Sequence, residues 1–269
     1  MLSELSVRKH VLLGPLTGVD QRRQHGSVLL PAARQGLNTL RLGPRGSEEL
    51  QRVASAGWMW EFHRVSLELD RPHTALVLLD LQNYNVHPDG YWNQAMPGSA
   101  EAAQPMIEGT VRALQAARRA GIAVIHVANS WREGHPDVNV HAPWMAEAKA
   151  ANRSIEGTWA AEFFEPVAPS KGEFIVRKRA VSAFVGTELE RLLLVRDIST
   201  LVLVGGVTNF AVEGTARHAS DLGYRVVVLS DGTASIDDEW QSFAIEKILP
   251  MIAEVSTVQD FAYALLSPG

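Results

Sequence analysis

Residues 200–229, TLVLVGGVTNFAVEGTARHASDLGYRVVVL, read as a strand that runs through a glycine pair into a helix, stops at Gly223 and returns as a second strand. Both strands are almost continuously apolar, as strands covered on both faces must be, and the helical stretch between them is long enough to cross back over a sheet. This is one right-handed βαβ unit, and the chain from Thr74 onward repeats its rhythm. Strands are predicted at 75–80 (ALVLLD), 122–128 (IAVIHVA), 173–177 (EFIVR), 200–205 (TLVLVG), 224–229 (YRVVVL) and 252–256 (IAEVS). Helices are predicted at 101–120, 186–197, 209–222, 237–249 and 257–266. Gly121 and Gly223 stand where helix C-caps belong, each just before a strand. The fold class that follows is α/β: a Rossmann-like, open, doubly wound parallel sheet of six strands with helices on both faces.

Outside this rhythm the sequence is less regular. Residues 1–70 carry GPLTG, LGPRG and arginine-rich segments, with weak periodicity up to GWMWEFHRV. They are read as an N-terminal extension that packs on the surface or on a neighbouring subunit, or that forms a lid with Trp58, Trp60 and Phe62 as its apolar contacts. Residues 71–269 are read as the main domain. One connection inside it, from about 129 to 172, is long, and long connections in compact domains are often functional. It holds Trp131, His135, His141, Trp144 and Trp159, an aromatic content suited to walling a small pocket.

Composition excludes several classes of function. With 269 residues, 46% of them hydrophobic and 20% charged, the chain is an ordinary globular protein able to bury a core. A formal charge of −5 and scattered arginines argue against a nucleic-acid partner. No apolar run approaches the roughly 20 residues that a bilayer span needs, since Ala75–Leu79 is stopped by Asp80, so no membrane partner is expected. The N-terminus lacks the charged, apolar and small-residue order of a signal peptide, which reads as cytoplasmic. Cysteine is absent, and with it disulfides, thiolate metal sites and thiol nucleophiles. His126, His135 and His141 lie in the second strand and the loop after it without ligand-like spacing, so they read as ordinary polar residues. No metal and no cofactor are expected.

In an open parallel sheet, ligands bind beyond the carboxyl ends of the strands, near the point where strand order reverses. Asp80 closes the first strand after five apolar residues; it reads either as a turn former or as a chemical group. Lys178 follows the third strand, either as a solvated charge or as an ion-pair partner that holds the Asp80 carboxylate in its charged form. The turn after the fourth strand, Gly205 to Ala216, exposes backbone N–H groups at a helix start, which suit an anion or a developing oxyanion. Its bland alternative is a glycine turn needed only for close packing.

Together these segments resemble the isochorismatase-like hydrolase superfamily, the cysteine hydrolases that include nicotinamidases and ureido- and carbamoyl-cleaving amidohydrolases. The resemblance covers about residues 74 to 266. It rests on LLDLQ, ending the first strand in an apolar-Asp-x-Gln pattern; on KRAVSAF, with Val181 where the family has tyrosine; and on GGVTNFAVEGTA, with Ala211 where the family has its cysteine. Asn129-Ser130-Trp131 and Asp237-Asp238-Glu239-Trp240 look most like the ureido-cleaving branch. The metal-binding Asp-x-His group of nicotinamidases has no match here.

The resemblance implies that Asp80 is the general acid and base, that Lys178 orients it, and that position 211 is the nucleophile position. It further implies a cis peptide at Gly206–Val207, an oxyanion hole from the amides of Val207 and Ala211, a small amide or urea-like substrate, and a homodimer or homotetramer. Gln82, Asn85, Trp131 and Phe184 are candidate substrate-binding residues from their nearness to these motifs.

An alanine methyl cannot attack a carbonyl, so Ala211 leaves three readings. In one, an amidohydrolase has had its cysteine replaced or lost, as in a substrate-trapping variant. In the second, the chain resembles the isochorismatase branch, which cleaves a vinyl ether with aspartate as general acid. That branch typically has an aromatic residue where this chain has Val207. In the third, the chain is a natural pseudoenzyme that binds a ligand.

Overall fold

The computed structural model describes residues 67–266, so the reading of residues 1–70 as an extension or lid falls almost wholly outside the described residues. Six strands form one all-parallel sheet: β1 (Thr74–Leu79), β2 (Ala123–Asn129), β3 (Phe174–Lys178), β4 (Thr200–Gly206), β5 (Arg225–Ala234) and β6 (Glu254–Ser256). Their order is β3-β2-β1-β4-β5-β6, the doubly wound arrangement expected from the sequence. Strand order reverses between β1 and β4, which puts the ends of these two strands at the switch point.

Each interior strand is buried on both faces, and its residues divide between two cores. Leu76, Leu78, Val202, Val204, Val227 and Leu229 face one layer, which includes helix α1 (Gln104–Ala120). Ala75, Val77, Leu79, Ile125, Val127, Val176, Leu201 and Leu203 face the other. That second layer holds helix α2 (Leu189–Val195) and helix α3 (Glu213–Asp221). Alternation along a strand sends neighbouring residues to opposite layers, and two apolar layers explain why the strands read as unbroken apolar runs.

Helix α1 ends on Gly121 in the left-handed conformation (φ 71°), as its C-cap position predicts. Gly109 in the same helix is required for another reason: a Cβ there would lie 2.0 Å from the Asp231 carbonyl oxygen on β5. Two short helices follow on the later connections, α4 (Asp238–Phe243) and α5 (Val258–Ala264).

The largest departure from expectation is in β5. The strand predicted over 224–229 continues to Ala234 across a register shift opposite Leu203 and Gly205. Tertiary contacts extend it: Asp231 Oδ1 accepts the Val258 N–H at 2.7 Å, and Thr233 and Ala234 pair with Gly205 and Gly206. The helix predicted at 209–222 begins instead with a π-helical turn, Thr208–Val212, before α3.

Candidate active site

At the end of β1 the backbone changes hand. Asp80 has φ 59°, a left-handed conformation that Asp tolerates better than most residues. Regular alternation would send its side chain to the α1 layer with Leu76 and Leu78. The left-handed turn breaks that alternation, and the carboxylate meets Lys178, which shares a face of β3 with Val176. Lys178 Nζ lies 2.8 Å from Asp80 Oδ2 and donates to the Val181 carbonyl at 2.6 Å. The Asp80 backbone is held on both sides, its N–H on Val127 O at 2.9 Å and its carbonyl by Asn85 Nδ2 at 2.6 Å.

The lysine is 1% exposed, so this is a desolvated ion pair. Burial raises the proton affinity of Asp80 above the ordinary carboxylate range, although Lys178 and the Asn129 N–H pull it down. Its second oxygen, Oδ1, is buried with no hydrogen-bond partner among the described residues. A carboxylate held by one cation, with a free acceptor and a raised proton affinity, can take a proton and return it.

Across the switch point, the glycine turn is built by steric necessity. Gly205 has φ 113°, and a Cβ there would lie 2.2 Å from the carbonyl oxygen of Leu79. Only glycine lets β4 run this close to the end of β1. The Gly206–Val207 peptide is cis, and the π-helical turn then carries Ala211, 3% exposed, next to this junction. Gly214, one turn on, makes room for Val181, whose Cγ1 would lie 2.7 Å from an added Cβ. Thr215 Oγ1 accepts the Ala183 N–H at 3.1 Å. The motif KRAVSAF is thus stitched to α3, and the loop that receives the Lys178 ammonium is fixed against the turn bearing Ala211. Asn209 ties the other side of the turn to α4, donating to the Trp240 carbonyl at 3.1 Å and pairing with Ser235. Asp237 caps α4 through the Trp240 N–H at 2.8 Å.

The four expected pocket residues differ in what engages them. Gln82 is fully buried, and both ends of its amide are engaged by the Asn129 backbone, at 2.9 and 2.8 Å. Asn85 is engaged by the Asp80 carbonyl. Phe184 packs in the core, its ring 5.0 Å from that of His218 and 6.0 Å from that of Tyr224. These three frame the site. Trp131 is of another kind: its backbone pairs with Ser154 and Glu156, its ring lies 6.2 Å from Trp144, and its buried Nε1 finds no partner among the described residues. The hydroxyls of Ser130 and Thr208, at the ends of β2 and β4, are likewise buried without partners.

Sequence reading missed Asn129, Ser154 and Thr215 as residues that hold the site. Asn129 and Thr215 belong to quoted segments, but no local signal marks Ser154. His126 and His135 are placed as ordinary polar residues, the first against Glu173 and the second against the Arg153 carbonyl at 3.0 Å. No group of three or more His, Cys, Asp or Glu residues able to hold a metal occurs among the described residues. No helix among them is long and apolar enough to cross a membrane.

The isochorismatase domain model matches residues 74–260, from the first residue of β1 into α5. The chain belongs to the isochorismatase family. Among its curated relatives, the ureidoacrylate amidohydrolase RutB of Enterobacter sp. (strain 638) is 32% identical over 210 residues, covering 73% of this chain and 91% of the relative. The ureidoacrylate amidohydrolase RutB of Stutzerimonas stutzeri is 32% identical over 208 residues, covering 72% and 84%. Among solved structures, an isochorismatase family protein from Burkholderia thailandensis superposes with a TM-score of 0.63 at 29% identity, covering 76% of this chain and all of that one. A cysteine hydrolase from Pseudomonas syringae pv. phaseolicola gives a TM-score of 0.68 at 24% identity, covering 75% and 96%, a likeness of fold. In family terms, the buried Asp80–Lys178 pair and the turn at Ala211 occupy the motifs by which the sequence resembles these hydrolases.

Proposed function

We propose that this isochorismatase-family domain is built to hydrolyse a C–N bond of a small amide or urea-like compound. Asp80 is the proton carrier, Lys178 its partner, position 211 the nucleophile position, and the amides of Val207 and Ala211 the oxyanion hole. The buried Asp80–Lys178 pair at the switch point carries this reading, and the amidohydrolase relatives support it. With a cysteine at 211, Asp80 would take the thiol proton as sulfur attacks the carbonyl carbon. Charge on the carbonyl oxygen would be met by the two amides, and the C–N bond would break as Asp80 returns the proton to the leaving nitrogen. Water, deprotonated by Asp80, would then release the acyl or carbamoyl group.

The chain itself carries a methyl at 211, so it binds such a compound without forming the acyl intermediate. Trp131 is the pocket wall of this reading, and Gln82, Asn85 and Phe184 support the site from outside. A cytoplasmic homodimer or homotetramer is the expected form. The test is Ala211→Cys, assayed by ammonia release over a panel of ureido and amide compounds. Turnover by the cysteine variant and none by the parent is expected; no turnover across the panel, with the fold intact, sinks the proposal.

A second reading rests on the raised proton affinity of Asp80, which suits a general acid for vinyl-ether cleavage without a nucleophile. It requires the chain as it stands to cleave isochorismate and Asp80→Ala to abolish the reaction.

A further inference from the structure

β1 leaves the sheet at Asp80, and the end of β2 would lose its neighbour there. Gln82 replaces it. The Asn129 N–H donates to Gln82 Oε1 at 2.9 Å, and Gln82 Nε2 donates to the Asn129 carbonyl at 2.8 Å. The side-chain amide thus does what the peptide group of one more strand residue would do. The hold is reinforced on both sides. Ser154 Oγ donates to the same Asn129 carbonyl at 3.0 Å, and the Gln82 backbone forms an isolated bridge with Phe163. Gln82 itself is 0% exposed, so these bonds do not compete with water.

Asn129 is the residue through which this hold reaches the chemistry. It pairs in register with Lys178 on β3, its N–H is held by Gln82 Oε1, and the same peptide N–H draws down the proton affinity of the Asp80 carboxylate. Its backbone is fixed by three side-chain hydrogen bonds, while its own side-chain amide finds no hydrogen-bond partner among the described residues.

We propose that Gln82 is a positioning residue for proton transfer: by clamping the Asn129 peptide it fixes the third corner of the Asp80–Lys178 arrangement, and it acts through Asn129 without touching substrate. The proposal rests on the reading of Asp80 as the proton carrier. It differs from the expectation that Gln82 binds substrate, because neither end of its amide is available. It also differs from a purely structural clamp, because it requires a change at Asp80.

The experiment is the titration of Asp80, followed by carboxyl carbon NMR in the chain as it stands and in Gln82→Met and Gln82→Glu. Methionine keeps the length and loses both hydrogen bonds. Glutamate keeps an acceptor for the Asn129 N–H but loses the donor and sets a second carboxylate nearby. Both variants are expected to move the Asp80 midpoint by about half a pH unit or more, the glutamate variant upward because its second carboxylate disfavours ionisation. A folded variant whose melting temperature falls while the Asp80 midpoint stays within a tenth or so of a unit, roughly a quarter in equilibrium constant, overturns the proposal. Should the methionine variant fail to fold, the glutamate variant decides by the same criterion. In the Ala211→Cys background, kcat is expected to fall about tenfold with KM little changed and the acid limb displaced along with the Asp80 midpoint; a change in KM alone overturns the positioning role. The titration needs no substrate, so absence of turnover after Ala211→Cys counts against the proposed function and leaves this test standing.

Discussion

Two carboxylates in this domain, Asp80 buried and Glu173 half-buried, are supplied with donors in opposite ways. Glu173, just before β3, receives Arg118 Nε at 2.8 Å and Nη2 at 2.9 Å, the Ser170 N–H at 2.8 Å and His126 Nε2 at 2.9 Å. Burial alone would raise its proton affinity, but the donors from Arg118, Ser170 and His126 hold its pKa at about 2, from an ordinary 4.5. Burial also lowers the pKa of His126, keeping the ring neutral, so Nε2 must carry the proton it donates and Nδ1 is left buried without a partner among the described residues. Asp80 receives its cation on one oxygen, has the other without a partner among the described residues, and is shifted in the opposite direction. A saturated carboxylate holds structure. An under-supplied one retains the capacity for proton transfer, and it is the number of donors, together with the deeper burial of Asp80, that separates the two regions.

The sharpest way to break the comparison is to exchange the consequences. In the Ala211→Cys background, Asp80→Asn is expected to lower kcat/KM by roughly 10²–10⁴-fold, the range of a lost general acid–base. Rates before that change should fall with acid at a pH above the ordinary carboxylate range, because the free base is the active form and burial raises its proton affinity. A pH–rate profile of the Ala211→Cys protein reads this directly, and an acid limb at or below ordinary aspartate values would contradict it. Glu173→Gln should leave kcat near the parent value and cost on the order of 3 kcal/mol of stability at neutral pH. The sign follows from a folded pKa below the unfolded one. The contribution is full above the unfolded value near 4.5 and is lost as pH falls toward about 2, so the parent and the variant should converge in acid denaturation. The smallest effect is expected from His126→Phe, which removes one of several donors to Glu173 and an orphaned ring nitrogen together. A loss of about 1 kcal/mol in chemical denaturation, with no change in the acid limb, keeps the two regions independent.

Much of this was legible in the sequence because apolar runs and glycine turns report strands and their ends directly. All six strands fall within a few residues of expectation, except that β5 runs five residues further. There Ser-Asp-Gly is held in the sheet by an aspartate bond to the start of α5, a long-range contact that local composition cannot encode. Asp80 and Lys178 were visible as charges at the ends of apolar runs, and the structure brings them together. Their meeting depends on the left-handed conformation of Asp80, to which nothing in LLDLQ points unambiguously. Gln82 was visible as a polar residue near the site, and its proximity suggested substrate. That both ends of the Gln82 amide meet Asn129 is decided by a contact 47 residues away, which only the folded chain shows.

Ala211 is 3% exposed and packs among Val212, Ala216 and the apolar face of the sheet. A methyl fits that setting as well as a thiol does. Expression, solubility and melting behaviour therefore carry no information about whether this protein can turn over a substrate. On the proposed reading of position 211, folding and reactivity are separable at this one residue.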